Sequence, residues 1–175
     1  MKRNFATRLT KKSISNTIKK LENYKNNTLQ QKAEIIASSL ADTGVYVAQL
    51  MVAKYDAVFT TELISSMEKK FGGYGKDKCV FYVVADSKHA VFVEFGTGQM
   101  GLEAPYPYPM PIGFDWEYNT GKTIFEVAPG QYGWFYRRDG ETYFTQGMPA
   151  RPFMYETAQE LANRVVRIVK AAFKY

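Results

Sequence analysis

The chain has 175 residues, of which 46% are hydrophobic and 23% charged, and its formal net charge is +6. These values are typical of one soluble globular domain with a sizeable core. A single cysteine, Cys79, excludes an internal disulfide, and no apolar run approaches the roughly 18 residues that span a membrane. We therefore expect a protein with no membrane partner.

The positive charge is concentrated at the N-terminus. Residues 1–32 hold nine Lys or Arg and one acid, whereas the rest of the chain holds 14 bases and 16 acids. We interpret residues 1–27 as a basic arm or helix in contact with DNA or an acidic protein surface, or alternatively as a solvated leader. The candidate contact residues are Lys2, Arg3, Arg8, Lys11, Lys12, Lys19 and Lys20.

Two amphipathic patterns predict helices in the N-terminal third. Ile14, Ile18 and Leu21 share one side of residues 13–25. Thr28 and Gln31 then form a capping-box signature, which predicts the start of a second helix. Its apolar stripe comprises Leu29, Ala33, Ile36, Leu40, Val47 and Met51, with Gly44 between them. The sequence leaves open whether the two helices join across Asn26-Asn27.

The middle of the chain predicts a β-hairpin. Strand-like runs at Lys78–Ala85 and His89–Phe95 flank Asp86-Ser87-Lys88, and Gly72-Gly73-Tyr74-Gly75 precedes them as a turn. Glu94 is the one acid in the second run, and a buried carboxylate needs a partner. Arg151 could supply this partner through a bidentate ion pair. The alternative is that Glu94 faces solvent on an edge strand while Arg151 contacts another subunit or nothing.

Residues 99–148 are rich in aromatic residues and turns. Proline at every second position from Pro105 to Pro111 excludes a helix or a central strand and favours an extended loop. Two turn signals each predict a hairpin: Asn119-Thr120-Gly121 between Phe114–Tyr118 and Lys122–Val127, and Arg138-Asp139-Gly140-Glu141 between Trp134–Arg137 and Thr142–Thr145.

A final amphipathic pattern predicts a helix from Phe153 to Phe173. Together the patterns predict an α+β fold: a long N-terminal helix, an antiparallel β-meander with an aromatic β-hairpin insertion, and a C-terminal amphipathic helix packed on the sheet. After the arm at 1–27 we place a single domain at 28–175, with a variable insertion at 99–148.

The residue types argue against catalysis. Gly96 to Gly101 matches the G-x-G-x-x-G fingerprint, but the prolines that follow forbid the helix that a dinucleotide site needs. His89 and Cys79 are the only residues of their types, too few for a zinc site. We therefore predict no enzyme activity, no cofactor and no metal. An undetected hydrolase would need a carboxylate cluster, for which the candidates are Asp115, Glu117 and Glu126.

Two short motifs carry a family resemblance. Val93-Glu94-Phe95-Gly96-Thr97 ends the second strand-like run, and Ala150-Arg151-Pro152-Phe153 opens the last helix, where proline suits the first turn. With a weaker match at 61–67, in which Glu62 replaces a glycine, they resemble the Hong Kong 97 gene-ten-product-like family of phage tail-component or neck proteins. The motif residues are Glu94, Phe95, Gly96, Thr97, Gly98, Ala150, Arg151, Pro152 and Phe153.

The resemblance implies a structural virion protein of a tailed phage or prophage, a neck or tail-completion component where head and tail join. It implies a homo-oligomeric ring, assembled in the host cytoplasm, whose partners are neighbouring connector and tail proteins, with phage DNA as a further contact. Our candidates for subunit contacts are Tyr106, Tyr108, Trp116 and Trp134. The rival hypothesis is a small basic nucleic-acid-binding module, whose lysines neutralise phosphate while aromatic side chains stack on bases.

Overall fold

The computed structural model describes residues 11–55, 60–75, 78–116 and 125–173. The fold is α+β, as the sequence predicts, with a long N-terminal helix, antiparallel sheets and a C-terminal helix. The chain divides into two compact units. The first holds the described parts of 1–46, 69–84 and 160–175, and the second holds those of 47–68 and 85–159.

The N-terminal helix runs without a break from Lys11 to Lys54. It comprises α1 (Lys11–Asn23), a π-helical segment (Tyr24–Leu29) and α2 (Gln30–Lys54). The two predicted helices are therefore joined, and the predicted start at Thr28 is wrong. The physical reason is that Asn26-Asn27 is accommodated within π-helical hydrogen bonding instead of interrupting the helix.

Within the described ranges, this 44-residue helix is the one that is long and apolar enough to cross a membrane. By length and composition alone, the expectation that no segment could span a membrane is therefore wrong. Core helices of soluble proteins and signal sequences share these properties, so the finding is weak support for a membrane span. Ala41, Val47, Ala48 and Val52 of this helix are buried inside the protein. That the protein has no membrane partner stays a prediction.

The first unit contains most of β1 (Met67–Gly75) and β2 (Lys78–Ala85), which pair in a two-stranded sheet. The turn predicted at Gly72-Gly73-Tyr74-Gly75 is wrong, because these residues extend β1. The ring of Phe71 contacts those of Tyr74 and Phe81, with centroids 5.0 and 5.2 Å away. These ring contacts help to hold the glycine-rich end of β1 in the strand.

Gly44 allows α2 to approach β2 and the last helix, α6 (Phe153–Ala172). A Cβ atom at this position would lie 2.6 Å from Val83 Cγ2 and 3.1 Å from Leu161 Cδ1. Because protein interiors are close-packed, the neighbouring side chains would have to shift to admit it. The glycine inside the predicted apolar stripe is therefore a packing requirement.

Replacing Gly44 with alanine is expected to lower the free energy of unfolding by about 1 kcal/mol. Overpacking against Val83 costs about 1 to 3 kcal/mol, which exceeds the gain of about 1 kcal/mol in helix propensity. Urea denaturation measures the difference. The double variant Gly44→Ala/Val83→Ala should lose less stability than the sum of the single variants. Additive losses would contradict the contact.

The second unit contains the end of α2, three short helices and the start of α6. The short helices are α3 (Thr60–Ser65), α4 (Ala90–Phe95) and α5 (Gly98–Glu103). A core of buried apolar side chains lies among these elements: Val47, Ala48, Val52, Leu63, Met67, Val93, Phe95 and Phe153. The last helix begins at Phe153 and ends at Ala172, close to the predicted bounds.

The strand predicted at His89–Phe95 is wrong, and so is its hairpin with β2, because Ala90–Phe95 forms helix α4. Ser87 supports the start of this helix. Its carbonyl accepts a hydrogen bond from the Ala90 N–H, and its hydroxyl accepts one from the His89 N–H. A short apolar run suits a buried helix as well as a buried strand, so periodicity does not separate the two.

A three-stranded antiparallel sheet in the second unit comprises β3 (Phe125–Ala128), β4 (Gln131–Arg138) and β5 (Glu141–Thr145). Asp139 and Gly140, both with positive φ, connect β4 to β5 where the sequence places a turn. The predicted pairing of Phe114–Tyr118 with Lys122–Val127 is not found. Residues 114–116 lie in no strand, and β3 pairs with β4 instead. Residues 117–124, with the Asn119-Thr120-Gly121 turn, lie outside the described residues.

Candidate functional site at the junction of two motifs

The two sequence motifs meet in the second unit, as the sequence predicts. Thr97 and Gly98 form antiparallel bridges with Met148 and Gly147, the two residues of β6 (Gly147–Met148). The Arg151 N–H donates a hydrogen bond to the Val93 carbonyl over 2.8 Å. Backbone hydrogen bonds therefore join residues 93–98 to residues 147–151, although about 50 residues separate them along the chain.

Gly96 is the point of closest approach between the motifs. Its φ of 74° and ψ of 168° lie in a region that only glycine adopts readily. A Cβ atom there would lie 2.6 Å from Ala150 N and 3.0 Å from Met148 O. The glycine in the first motif is therefore required by backbone conformation and by space.

Glu94 caps the start of α6. Its Oε2 accepts a hydrogen bond from the Met154 N–H over 2.8 Å, and its Oε1 accepts one from the Tyr155 N–H over 3.1 Å. These two N–H groups are among those that a helix leaves unpaired at its N-terminus. The carboxylate thus joins α4 to α6 in the way that a capping side chain joins a loop to a helix.

Burial has the largest effect on the pKa of the Glu94 carboxyl, because this residue is only 6% exposed. Desolvation raises the pKa of its carboxyl from an ordinary value of 4.5 to about 7. The hydrogen bonds from the Met154 and Tyr155 N–H groups and from the Tyr106 side chain oppose this effect, because they favour the charged form. The carboxyl therefore changes its charge near neutral pH.

The ion pair predicted between Glu94 and Arg151 is wrong. Among the described residues, the carboxylate pairs with backbone N–H groups of α6 and with Tyr106. The Arg151 Nη1 atom is buried and has no hydrogen-bond partner among the described residues. The physical reason is that Glu94 lies on helix α4 and not on a strand. From there its carboxylate reaches the start of α6, after Pro152, and not the Arg151 side chain.

A second carboxylate, Glu156, lies in the first turn of α6. The Tyr55 hydroxyl donates a hydrogen bond to its Oε1 over 2.5 Å, and the Lys54 ammonium lies 3.3 Å from its Oε2. Burial and the Glu156 carboxylate raise the pKa of Tyr55 well above its ordinary value. The phenol therefore stays protonated and continues to donate.

Replacing Tyr55 with phenylalanine is expected to lower the free energy of unfolding by about 1.5 to 3 kcal/mol, the range for hydrogen bonds to charged groups. Replacing the exposed Lys54 with alanine is the matched control, and it should cost less than about 1 kcal/mol because solvent screens that pair. Chemical denaturation at pH 7 compares the variants. Equal losses would contradict a dominant role for the phenol.

Aromatic side chains of the proline-rich loop pack beside the motif junction. The Phe95 ring lies 4.8 Å from that of Tyr106 and 4.7 Å from that of Phe114. Tyr108 stacks on Tyr155 of α6 at 3.9 Å. The Trp116 indole N–H donates a hydrogen bond to the Gly96 carbonyl over 2.8 Å. The loop is thus held against the junction by rings of the same chain.

The four residues predicted to contact other subunits therefore also make contacts within their own chain. Tyr106, Tyr108 and Trp116 are half-buried in the aromatic cluster. The ring of Trp134 lies so close to Gly98 that a Cβ atom there would be 2.6 Å from its Cζ3. Whether these residues also contact a second subunit stays a prediction.

A group of exposed aromatic side chains was not predicted from the sequence. They lie on the three-stranded sheet, and each is at least 39% exposed: Phe125, Tyr132, Phe135, Tyr136, Tyr143 and Phe144. The available signal was an adjacent Phe/Tyr pair in each of β4 (Phe135-Tyr136) and β5 (Tyr143-Phe144), since successive residues of a strand face opposite sides. The hairpin was predicted from the Asp139-Gly140 turn, whereas this exposed surface was not predicted.

The basic residues of α1 are on the surface. Lys11, Lys12, Lys19 and Lys20 are all exposed, whereas Lys2, Arg3 and Arg8 lie outside the described residues. No residue of α1 is buried, so its apolar stripe of Ile14, Ile18 and Leu21 is exposed as well. The lysines are placed where an acidic surface or DNA could reach them.

The first unit has an open groove of about 260 Å³ beside the π-helical segment, lined by Lys25, Asn26, Leu29, Gln30, Ala33, Tyr74, Gly75, Lys78 and Cys79. Partial burial and the nearby Glu34 raise the pKa of the Cys79 thiol, which makes it a poor nucleophile. Across the ranges that the structure describes, no three His, Cys, Asp or Glu side chains gather in a group that could hold a metal ion.

No protein-family model, no curated protein and no solved structure matches this chain.

Proposed function

We propose that this chain is a structural virion protein of a tailed phage or prophage, a neck or tail-completion component that joins head and tail through a ring-like assembly. The carrying observation is that the two motifs of the family resemblance form one hydrogen-bonded junction. Motif residues that meet in space have a common structural role, which supports reading them as parts of one pattern and not as chance matches.

The surface of the second unit also supports a structural role. Six exposed aromatic residues on one small sheet are typical of protein–protein contacts, because they bury much apolar area at little entropic cost. The partners in this proposal are further copies of the chain and the neighbouring connector and tail proteins. Assembly takes place in the host cytoplasm and ends in the virion.

The test is the native mass of the purified protein by light scattering at low and high salt, followed by negative-stain imaging. A closed ring that persists at high salt, with on the order of six or more copies, would support the proposal. Addition of connector and tail proteins should then give a complex of larger mass. A species that neither forms a ring nor binds either protein would contradict it.

A second candidate function is nucleic-acid binding, which the exposed lysines of α1 favour. Binding to duplex DNA is measured over a range of salt concentrations, because each neutralised phosphate adds about −0.9 to the slope of log K against log salt. Replacing Lys19 and Lys20 with glutamine should make that slope shallower by roughly two units if both contact phosphate. An unchanged slope would exclude Lys19 and Lys20 as phosphate contacts.

A further inference from the structure

The three-stranded sheet exposes aromatic residues on both of its faces. Phe135 pairs with Phe144, and Phe125 pairs with Gly133, so the three phenylalanines share one face. Tyr136 pairs with Tyr143, and Tyr132 pairs with Glu126, so the tyrosines share the other. We name these the phenylalanine face (Phe125, Phe135, Phe144) and the tyrosine face (Tyr132, Tyr136, Tyr143).

Both faces expose aromatic rings to solvent, although Trp134, which lies on the tyrosine face, packs against Gly98. Phe125 and Phe135 are each 61% exposed, and Phe144 is 39% exposed. The three tyrosines are 40% or 41% exposed. A small antiparallel sheet normally buries one face against a core, so a sheet with two exposed aromatic faces has apolar surface left to cover on each side.

The two faces differ in charge. The phenylalanine face carries one charged residue, Arg137, which pairs with Thr142. The tyrosine face carries Glu126, Glu141 and Arg138, a net charge of −1. Two phenylalanine faces in contact would bring arginines together, and two tyrosine faces would bring acids together. One face of each kind gives attraction between opposite charges and places an arginine near tyrosine rings.

We propose that the phenylalanine face of one copy packs on the tyrosine face of the same sheet in the next copy. This inference deepens the proposed function and rests on it, since it names the contact that builds the ring. The surfaces in such a contact are different, so each copy keeps one face free for a further neighbour. Repetition of a contact of this kind closes a ring or extends a filament.

The geometry of sheets fits this contact. Two sheets that pack face to face lie about 10 Å apart, with their side chains interdigitated. On the phenylalanine face, Gly133 lets the Phe144 ring pack onto β4, since a Cβ atom there would lie 2.8 Å from the Phe144 Cζ. The rings that remain exposed on this face are those that a neighbouring sheet would cover. On the tyrosine face, Tyr136 and Tyr143 are stacked, with centroids 5.6 Å apart, and form a flat platform.

The test is cross-linking in a Cys79→Ser background, which removes the native thiol. Phe135→Cys and Tyr136→Cys are neighbours on β4 that lie on opposite faces. A mixture of the two single variants should give a cross-linked dimer that neither variant gives alone. A chain with both substitutions should give a ladder of dimers, trimers and larger species up to the copy number of the ring. Dimers from Phe135→Cys alone would overturn the proposal, because they report like faces in contact.

A second measurement uses Phe135→Ser, whose side chain is exposed in the single chain and should leave folding intact, as circular dichroism can verify. It should raise the dissociation constant for self-assembly at least tenfold, because the position lies at the centre of the contact. The matched control is Ile112→Ser, at a fully exposed apolar position outside the sheet, which should change it less than about twofold. Equal effects, or no self-association at any concentration, would overturn the contact.

These outcomes separate the contact from the proposed function. A ring that forms without the ladder and is insensitive to Phe135→Ser would overturn the contact and leave the neck assignment in place. A ladder from a protein that binds neither connector nor tail proteins would establish the contact and contradict the neck assignment.

Discussion

Replacing Gly96 with alanine is expected to lower the free energy of unfolding by more than about 3 kcal/mol. The backbone conformation alone costs a residue with a side chain of order 1 to 3 kcal/mol. The new Cβ atom would also lie 2.6 Å from Ala150 N, and a backbone atom cannot move aside as a flexible side chain can. Relief of that overlap requires the two motifs to separate. Urea denaturation measures the loss.

The matched control for this prediction is Gly113→Ala. Gly113 has a φ of 76°, close to that of Gly96, but no atom lies within 4 Å of the position that its Cβ would occupy. Only the cost of a positive φ applies there, of order 1 to 3 kcal/mol. The difference between the two variants therefore isolates the close contact between the motifs. Similar losses from both would show that conformation alone makes Gly96 necessary.

The stability of the protein is expected to fall between about pH 4.5 and pH 7 because of Glu94. Its carboxyl has a pKa of about 7 when folded and 4.5 ordinarily, so the folded state holds the proton more tightly. This contribution is fully present below pH 4.5 and is lost as the pH rises to about 7. The raised pKa corresponds to a loss of up to about 3 kcal/mol. Urea midpoints measured at intervals from pH 4.5 to pH 8 would show it.

The variant Glu94→Gln has no carboxyl to titrate at this position, so its stability should lack this component. Other groups titrate in both proteins, and the difference between the two curves therefore isolates Glu94. The wild-type advantage at pH 4.5 should shrink steadily to pH 7 and then stay constant. Glu103→Gln, at an exposed position, should follow the wild-type curve. Parallel curves for wild type and Glu94→Gln would contradict the prediction.

The fold class and the meeting of the two motifs could be predicted from the sequence, for different physical reasons. The long helix and α6 have apolar residues at helical spacing over many turns, a signal that accumulates with length. The β4–β5 hairpin is marked by Asp139-Gly140, whose preference for a tight turn is local. The partnership of the motifs came from the resemblance, since nothing in either motif alone specifies the other.

The errors arose where tertiary contacts decide a short segment. Residues 90–95 are β-branched or aromatic apart from Ala90 and Glu94, so their intrinsic preference is for a strand. They form a helix because burial of Val93 and Phe95, with Glu94 capping α6, outweighs that preference. The available signal was Ser87, a residue type that commonly begins helices. No local rule places the Glu94 carboxylate at the start of a helix 60 residues away.

The π-helical segment determines which way the N-terminal lysines point. A π-helical turn contains more residues than an α-helical one, and successive residues of an α-helix are rotated by about 100°. If the same six residues had α-helical hydrogen bonding instead, α1 would be turned about its own axis by roughly that angle relative to the start of α2. The lysines and the stripe of Ile14, Ile18 and Leu21 would then face new directions with no change in their own sequence. The π-helical hydrogen bonding of this segment thus determines the direction in which the basic side chains of α1 point.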